Sequence, residues 1–124
     1  MKKIKTQVNF KDNRGYIKDL LEKKNINAIT FITQKKDKVR GNHYHKKTIQ
    51  WNYLLKGKIK IFAQIKGEKT KSVILKVGDL VVTGKNESHA IKAVKDSEFL
   101  VFTQGPRGGK EYENDTYRLK NQLI

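Results

Sequence analysis

Cysteine is absent from this 124-residue chain, which excludes disulfides and thiolate metal sites and is compatible with a cytoplasmic protein. Proline occurs once, at Pro106, and glycine nine times. With 36% apolar residues, that scarcity of breakers places the chain among globular proteins and not among disordered ones. No apolar run approaches the roughly 18 residues of a membrane span. The basic start, Met1-Lys2-Lys3-Ile4-Lys5, has no apolar stretch behind it and does not read as a secretory signal. A cytoplasmic location without a membrane partner is therefore expected. The length suits one hydrophobic core, so the expected organisation is a single domain over residues 1–124.

Acidic residues are also scarce: 12 against 28 basic ones, a formal net charge of +16. Such a balance raises the question of nucleic acid or an anionic membrane surface. Only Arg14, Arg40, Arg107 and Arg118 are arginines, so the excess is lysine, whereas base and phosphate recognition favours arginine's planar fork. The lysines are spread along the chain and form no single patch. In Lys58-Ile59-Lys60-Ile61 they alternate with isoleucine, which on a strand puts lysine in water and isoleucine inside. The charge reads as a solvated surface, and nucleic acid is not the expected partner. A mild attraction for phosphate-bearing small molecules follows from it.

What is present is a short-period pattern. Ala28–Thr33, Trp51–Leu55, Lys58–Ile65, Ser72–Leu75, Leu80–Thr83, Ala90–Val94 and Phe99–Thr103 read as strands separated by Gly, Asn, Asp or Lys turns. Ile17–Lys24 allows a helical turn or two, or a strand that ends in a loop. Strands at this spacing without long helices predict an antiparallel sandwich or barrel. Trp51–Leu55 and Phe99–Phe102 are apolar at both parities, so both faces of those strands should be covered. The second cover would come from the tail, an N-terminal strand or another subunit, and a homodimer packed sheet against sheet is expected.

The chemistry-bearing segment is Arg40-Gly41-Asn42-His43-Tyr44-His45, followed by Gln50 and Gly57. His43 and His45 are two apart and share a face of a strand, while Tyr44 points the other way. Gly78-Asp79 opens a later turn, and His89 lies eleven residues beyond Gly78. The chain has only these three histidines. Together with the Gln50 amide they would converge inside a β-barrel.

These spacings resemble the cupin family, whose first motif has His-x-His, an acidic residue five positions later and a glycine seven further on. His43, His45, Gln50 and Gly57 stand in that register. Gly78, Asp79 and His89 are similar to the second motif, with Gly84 where proline is common, Asn86 where glycine is common, and Gln50 in place of glutamate. The resemblance implies an all-β fold, the double-stranded β-helix or jelly-roll barrel of the cupins. One fold hosts many activities, so it implies no single reaction. Two mechanisms stay open. His43, His45 and His89, with Gln50 as oxygen ligand, could bind one divalent metal such as Zn, Fe, Ni or Mn. Alternatively the imidazoles move protons near neutral pH without metal.

A narrower resemblance covers most of the chain. Asp12-Asn13-Arg14-Gly15, Arg40-Gly41-x-His43-x-His45-Lys46, Gln50 and the acidic, tyrosine-containing segment Glu111–Arg118 look like the sugar-nucleotide 3,4-ketoisomerases. Arg-Gly-Asn-His-Tyr-His is similar to strings in 4-keto-6-deoxyhexose 3,5-epimerases and in the cupin half of capsular-polysaccharide proteins. Ser88 departs from the tryptophan that those ketoisomerases place before the second-motif histidine. The resemblance implies an isomerase or epimerase of a nucleotide-linked 4-keto-6-deoxy sugar, serving surface-polysaccharide biosynthesis. In it His43 removes the proton beside the ketone, His45 returns a proton, and Arg14, Arg40 and Gln50 bind substrate, the arginines through the diphosphate. The rival readings are a metal-dependent cupin with three histidines and one glutamine, and a non-catalytic sugar- or nucleotide-binding cupin.

Overall fold

The computed structural model describes residues 1–124. The β-branched and aromatic runs pair antiparallel into two five-stranded sheets. One sheet has the order β1 (Lys2–Ile4), β9 (Leu80–Thr83), β6 (Ile49–Lys56), β11 (Ser97–Gln104) and β4 (Ala28–Gln34). The other runs β12 (Tyr117–Arg118), β5 (Val39–Tyr44), β10 (Glu87–Ala93), β7 (Ile59–Ile65) and β8 (Lys71–Leu75). This is the expected double-stranded β-helix, the cupin barrel. A separate hairpin, β2 (Val8–Asp12) with β3 (Gly15–Lys18), joins neither sheet. The one helix, α1 (Gly109–Asn114), lies in the tail. The segment after Lys18 forms no helix, so the helical alternative for Ile17–Lys24 gives way to a strand that ends in a loop. No helix is long and apolar enough to cross a membrane.

Alternation decides which residues meet between the sheets. Along β11, Ser97, Phe99, Val101 and Thr103 are buried while their even-numbered neighbours are only partly so. On β7 the isoleucines Ile59 and Ile61 are fully buried. With Leu54, Leu75, Val81, Ile91, Phe99 and Val101 they make an apolar cluster of eight residues filling one end of the barrel. The polar inward residues Gln50, Asn52, Thr83 and Thr103 fall at the other end. In register, Thr103 and Thr83 flank Gln50 on either side, so this wall of the barrel carries a row of hydroxyl and amide groups.

The outer face of the first sheet is apolar as well. Phe31, Leu100 and Tyr53 lie in register across β4, β11 and β6, and Ile29, Phe102 and Trp51 form the next row. Trp51 is only 4% exposed, and a groove beside it is lined by residues of β1 and by Leu20 and Leu21. The N-terminal strand extends the same sheet as its edge and does not lie over β6, whereas Leu20 and Leu21 come from the segment after β3. Ile29 and Phe31 stay 64% and 56% exposed.

Candidate active site

Strand β5 lies beside β10, and His43 pairs directly with His89 in register. The next pair is Gly41 with Ala90, so Asn42 is an extra residue and the ladder bulges there. Asn42 takes a left-handed φ of 58°. Gly41 has φ 91°, and a Cβ on it would stand 2.8 Å from the His89 carbonyl oxygen. The glycine of the Arg-Gly-x-His string is therefore required by the close approach of β10. Asn86 supplies the left-handed turn residue where cupins commonly have glycine, with φ 61°, a conformation that asparagine tolerates. Its N–H donates to the His45 carbonyl at 2.6 Å.

The result is a cluster of three imidazoles. Ring centroids are 4.7 Å apart for His43–His45, 4.8 Å for His43–His89 and 5.4 Å for His45–His89. His43 and His89 line a cavity of about 300 Å³ together with Gln50, Asn52, Arg40, Arg107 and Tyr112. Ile32, Ile91, Phe99 and Val101 give it an apolar floor. His45 stands behind, 2% exposed, with the Tyr112 ring 5.3 Å from its own. Larger grooves exist around β1, but they hold none of the convergent polar groups that mark a ligand site.

Main-chain carbonyls orient two of the rings. His45 Nδ1–H donates to the Asp115 carbonyl at 2.9 Å and His89 Nδ1–H to the Glu87 carbonyl at 3.0 Å. In a neutral ring the other nitrogen, Nε2, is then an acceptor. On His45 that Nε2 is buried without any hydrogen-bond partner. Burial first, then the charges His89 and His45 would carry, holds the His43 pKa down to about 3. Burial holds His89 at about 4, and burial also lowers His45 against the opposing hydrogen bond to Asp115. All three rings are neutral at neutral pH.

This neutrality has a measurable consequence for stability. Above pH 6.5, the ordinary histidine value, folded and unfolded chains both carry neutral His89 and the group contributes nothing. Below it the unfolded chain takes up a proton that the folded site refuses, so stability falls as pH drops toward the folded value of about 4. For His89 the slope is about 1.4 kcal/mol per pH unit, roughly 3 kcal/mol over the window. Denaturant unfolding at pH 7, 6 and 5 should show this loss, and His89→Gln should make the curve shallower by the His89 share, leaving that of His43 and His45. An equally steep curve in the variant would remove His89 as the cause.

The imidazole nitrogens that could serve as ligands all lie within 4.8 Å of one another. The Nδ1–H···O=C bonds are those that orient ligating histidines in metal sites. The three-histidine cluster could therefore hold a metal ion, with Gln50 near enough to share the cavity.

Of the residues marked by the sequence, the structure gathers His43, His45, His89, Gln50 and Arg40. The Arg40 guanidinium sits at the mouth, donating to the Thr33 carbonyl at 3.1 Å. Arg14 is not brought to this cavity. It lies at the exposed turn of the β2–β3 hairpin, ion-paired with Asp12 at 2.6 Å. Arg107 and Asn52 join the site unannounced, and Tyr112 comes to it from the Glu111–Arg118 segment. Asn52 had a usable signal, since it shares the inward parity of Gln50 on β6. Arg107 had another, as one of four arginines in a lysine-rich chain. Three of those four stand around the cavity: Arg40 and Arg107 line it, and Arg118 pairs in register with His43. Tyr44 points outward as expected and stacks on Tyr117, with centroids 5.1 Å apart.

Residues 10–117 match the model of the family described as "Polysaccharide biosynthesis C-terminal domain". The chain belongs to this family. Among solved structures, the chain is similar to the sugar 3,4-ketoisomerase QdtA from Thermoanaerobacterium thermosaccharolyticum in complex with TDP. The two are 25% identical with a TM-score of 0.75, over 95% of this chain and 85% of that one. A 3,4-ketoisomerase from Helicobacter canadensis is 26% identical, with a TM-score of 0.76 over 94% and 87% of the two chains. The WlaRB TDP-quinovose 3,4-ketoisomerase from Campylobacter jejuni shares the fold at 21% identity, with a TM-score of 0.80 over 95% and 92%. No curated protein matches the chain.

Proposed function

We propose that the chain is an isomerase or epimerase of a nucleotide-linked 4-keto-6-deoxy sugar, with 3,4-ketoisomerisation as the leading reaction. The observation that carries this reading is the neutral His43 in a sugar-sized cavity with Arg40 and Arg107 on its lining. The similarity to 3,4-ketoisomerases at 25% and 26% identity supports it. A cavity of about 300 Å³ holds the sugar ring, and the diphosphate then lies over the mouth. Arginine forks there make paired, charge-assisted hydrogen bonds with phosphate oxygens. A ketone at C4 acidifies the C3 proton. His43 takes that proton, leaving a C3–C4 enediolate. The C3 hydroxyl proton passes to the C4 oxygen, and return of the abstracted proton to C4 delivers the 3-keto isomer, with no net gain or loss of protons or electrons. His45, its Nε2 free to accept, relays protons behind His43. Gln50 and Asn52 hydrogen-bond the sugar hydroxyls from the opposite wall.

The test is incubation with TDP-4-keto-6-deoxyglucose in D₂O, followed by proton NMR, on protein purified without chelator or polyhistidine tag. Deuterium at the carbon beside the ketone, together with a 3-keto product, is the expected result. Neither exchange nor product with TDP- or UDP-linked 4-keto sugars would overturn the reading. The partnerless His45 Nε2 favours one second reading, a metal held by His43, His45 and His89 that would supply Lewis-acid polarisation of the ketone oxygen. Near-stoichiometric metal that is lost in His89→Ala would establish it.

The same reading includes a cytoplasmic location and a homodimer. The exposed Ile29 and Phe31, with the half-buried Leu100, Phe102 and Tyr53 beside them in register, form an apolar patch of the kind a sheet-on-sheet interface covers. Light scattering at micromolar concentration should report a dimer, and Phe31→Lys should shift it toward monomer. A wild-type monomer at that concentration would refute the pairing.

A further inference from the structure

Asp115 touches the site from behind with two different groups. Its carboxylate is buried, 4% exposed, yet it forms no ion pair. Instead it accepts from the Lys46 N–H at 3.0 Å, the Lys47 N–H at 3.2 Å and the Thr48 hydroxyl at 2.7 Å. Its own carbonyl oxygen accepts the His45 Nδ1–H. The turn it grips is also held from the other side. A Cβ on Gly105 would come within 2.7 Å of the Lys47 carbonyl oxygen and 2.8 Å of the Thr48 hydroxyl. A buried carboxylate costs free energy unless donors compensate it, and here three donors from one turn do so. That grip fixes where the Asp115 main chain sits, and hence where its carbonyl meets His45. Just before Asp115 in the chain, Tyr112 packs on the His45 ring and Arg107 stacks on Tyr112 at 4.3 Å.

We propose that Asp115 is a positioning residue for His45. Its carboxylate clamps the 46–48 turn so that its carbonyl holds the His45 proton on Nδ1 and leaves Nε2 an unprotonated acceptor in the histidine cluster. A ring locked in one tautomer is the role that an orienting acceptor plays for catalytic and metal-bound histidines alike. Here the orienting group is a main-chain carbonyl, so no carboxylate need lie near His45 in sequence. The consequence for catalysis rests on the sugar-isomerase reading above, whereas the tautomer itself does not.

Asp115→Asn keeps the shape and an oxygen for the Lys46 and Lys47 N–H groups, but it removes the charge and sets an NH2 where Oδ2 accepts from the Lys47 N–H and the Thr48 hydroxyl, so the clamp should loosen. Two-bond proton–nitrogen spectra of histidine-labelled protein read the tautomer directly. Wild type is expected to show His45 wholly as the Nδ1–H form, and the variant a mixture. With substrate, kcat should fall about ten- to a hundredfold while KM stays unchanged. If Asp115→Asn does not fold, Thr48→Val removes one donor only and should give the same tautomer change with a smaller loss of kcat. An unchanged His45 tautomer in a folded variant overturns the proposal, as does a wild-type ring protonated on Nε2. If wild type turns over no 4-keto sugar yet the tautomer shifts as expected, the proposed reaction fails while the positioning role stands.

Discussion

Replacing His43 with asparagine is expected to lower kcat on TDP-4-keto-6-deoxyglucose by about 10²–10⁴-fold, the range attributable to a positioned general base. Asparagine roughly preserves the volume of the ring near His45 and His89, so the cavity should keep its shape, and KM should move little. The expected signature is loss of C3 deuterium exchange together with loss of isomerisation, because both begin with the same proton abstraction. A neutral His43, with its pKa held at about 3, also means that the base is available throughout the mildly acidic range. The acid limb of the wild-type kcat/KM profile should therefore lie well below 6.5, the ordinary histidine value. Exchange at the wild-type rate in His43→Asn would remove His43 as the base. Exchange lost in a His45→Asn variant but kept in His43→Asn would transfer the role to His45.

The largest expected effect on stability comes from Phe99→Ala. Phe99 is fully buried in the apolar cluster with Leu54, Ile59, Ile61, Leu75 and Val101, and it also floors the sugar cavity. Truncation to alanine at such a site costs about 3–5 kcal/mol, partly through lost transfer energy and partly through the void left behind. Against the roughly 5–15 kcal/mol that holds a domain folded, this is about a fifth of the total or more. Thermal unfolding should drop by roughly 10 °C or more. Because the same ring floors the cavity, substrate affinity should fall in parallel. A loss below about 1 kcal/mol would mean that the barrel collapses around the gap and that the core and the cavity floor are not mechanically joined.

The strands were legible in the sequence because period-two alternation over β-branched and aromatic residues is a local property. Leu80–Thr83 lies where it was expected, and Ala28–Thr33 extends by one residue, to Gln34. Strand β5 was read only around His43 and His45; β1 and β12 escaped because they are three and two residues long, and β2 because it is nearly all exposed, so they take their order from a neighbour and not from their own pattern. Helix α1 escaped for the same reason: six residues with none buried carry no amphipathic stripe to read. The histidines were legible because two-residue spacing fixes a shared face whatever the tertiary fold. Gln50 and Asn52 obey that rule equally, though only the first was singled out.

By itself, then, the sequence determined an antiparallel all-β fold and the shared face of His43 and His45, since both follow from strand periodicity; the barrel came through the resemblance to the cupins, and the need for Gly41 through the approach of β10. Only the tertiary structure decided which distant groups complete the site. Asp115 lies 70 residues from His45, and no local rule ties them; what joins them is the fold of the tail across β5. Tyr112 and Arg107 arrive with it. Arg14, by contrast, sits in a string as suggestive as that of Arg40, yet its hairpin pairs with neither sheet and leaves it in water beside Asp12. Parity assigns a residue to a face, but closure of the barrel and docking of the tail choose the residues that meet there.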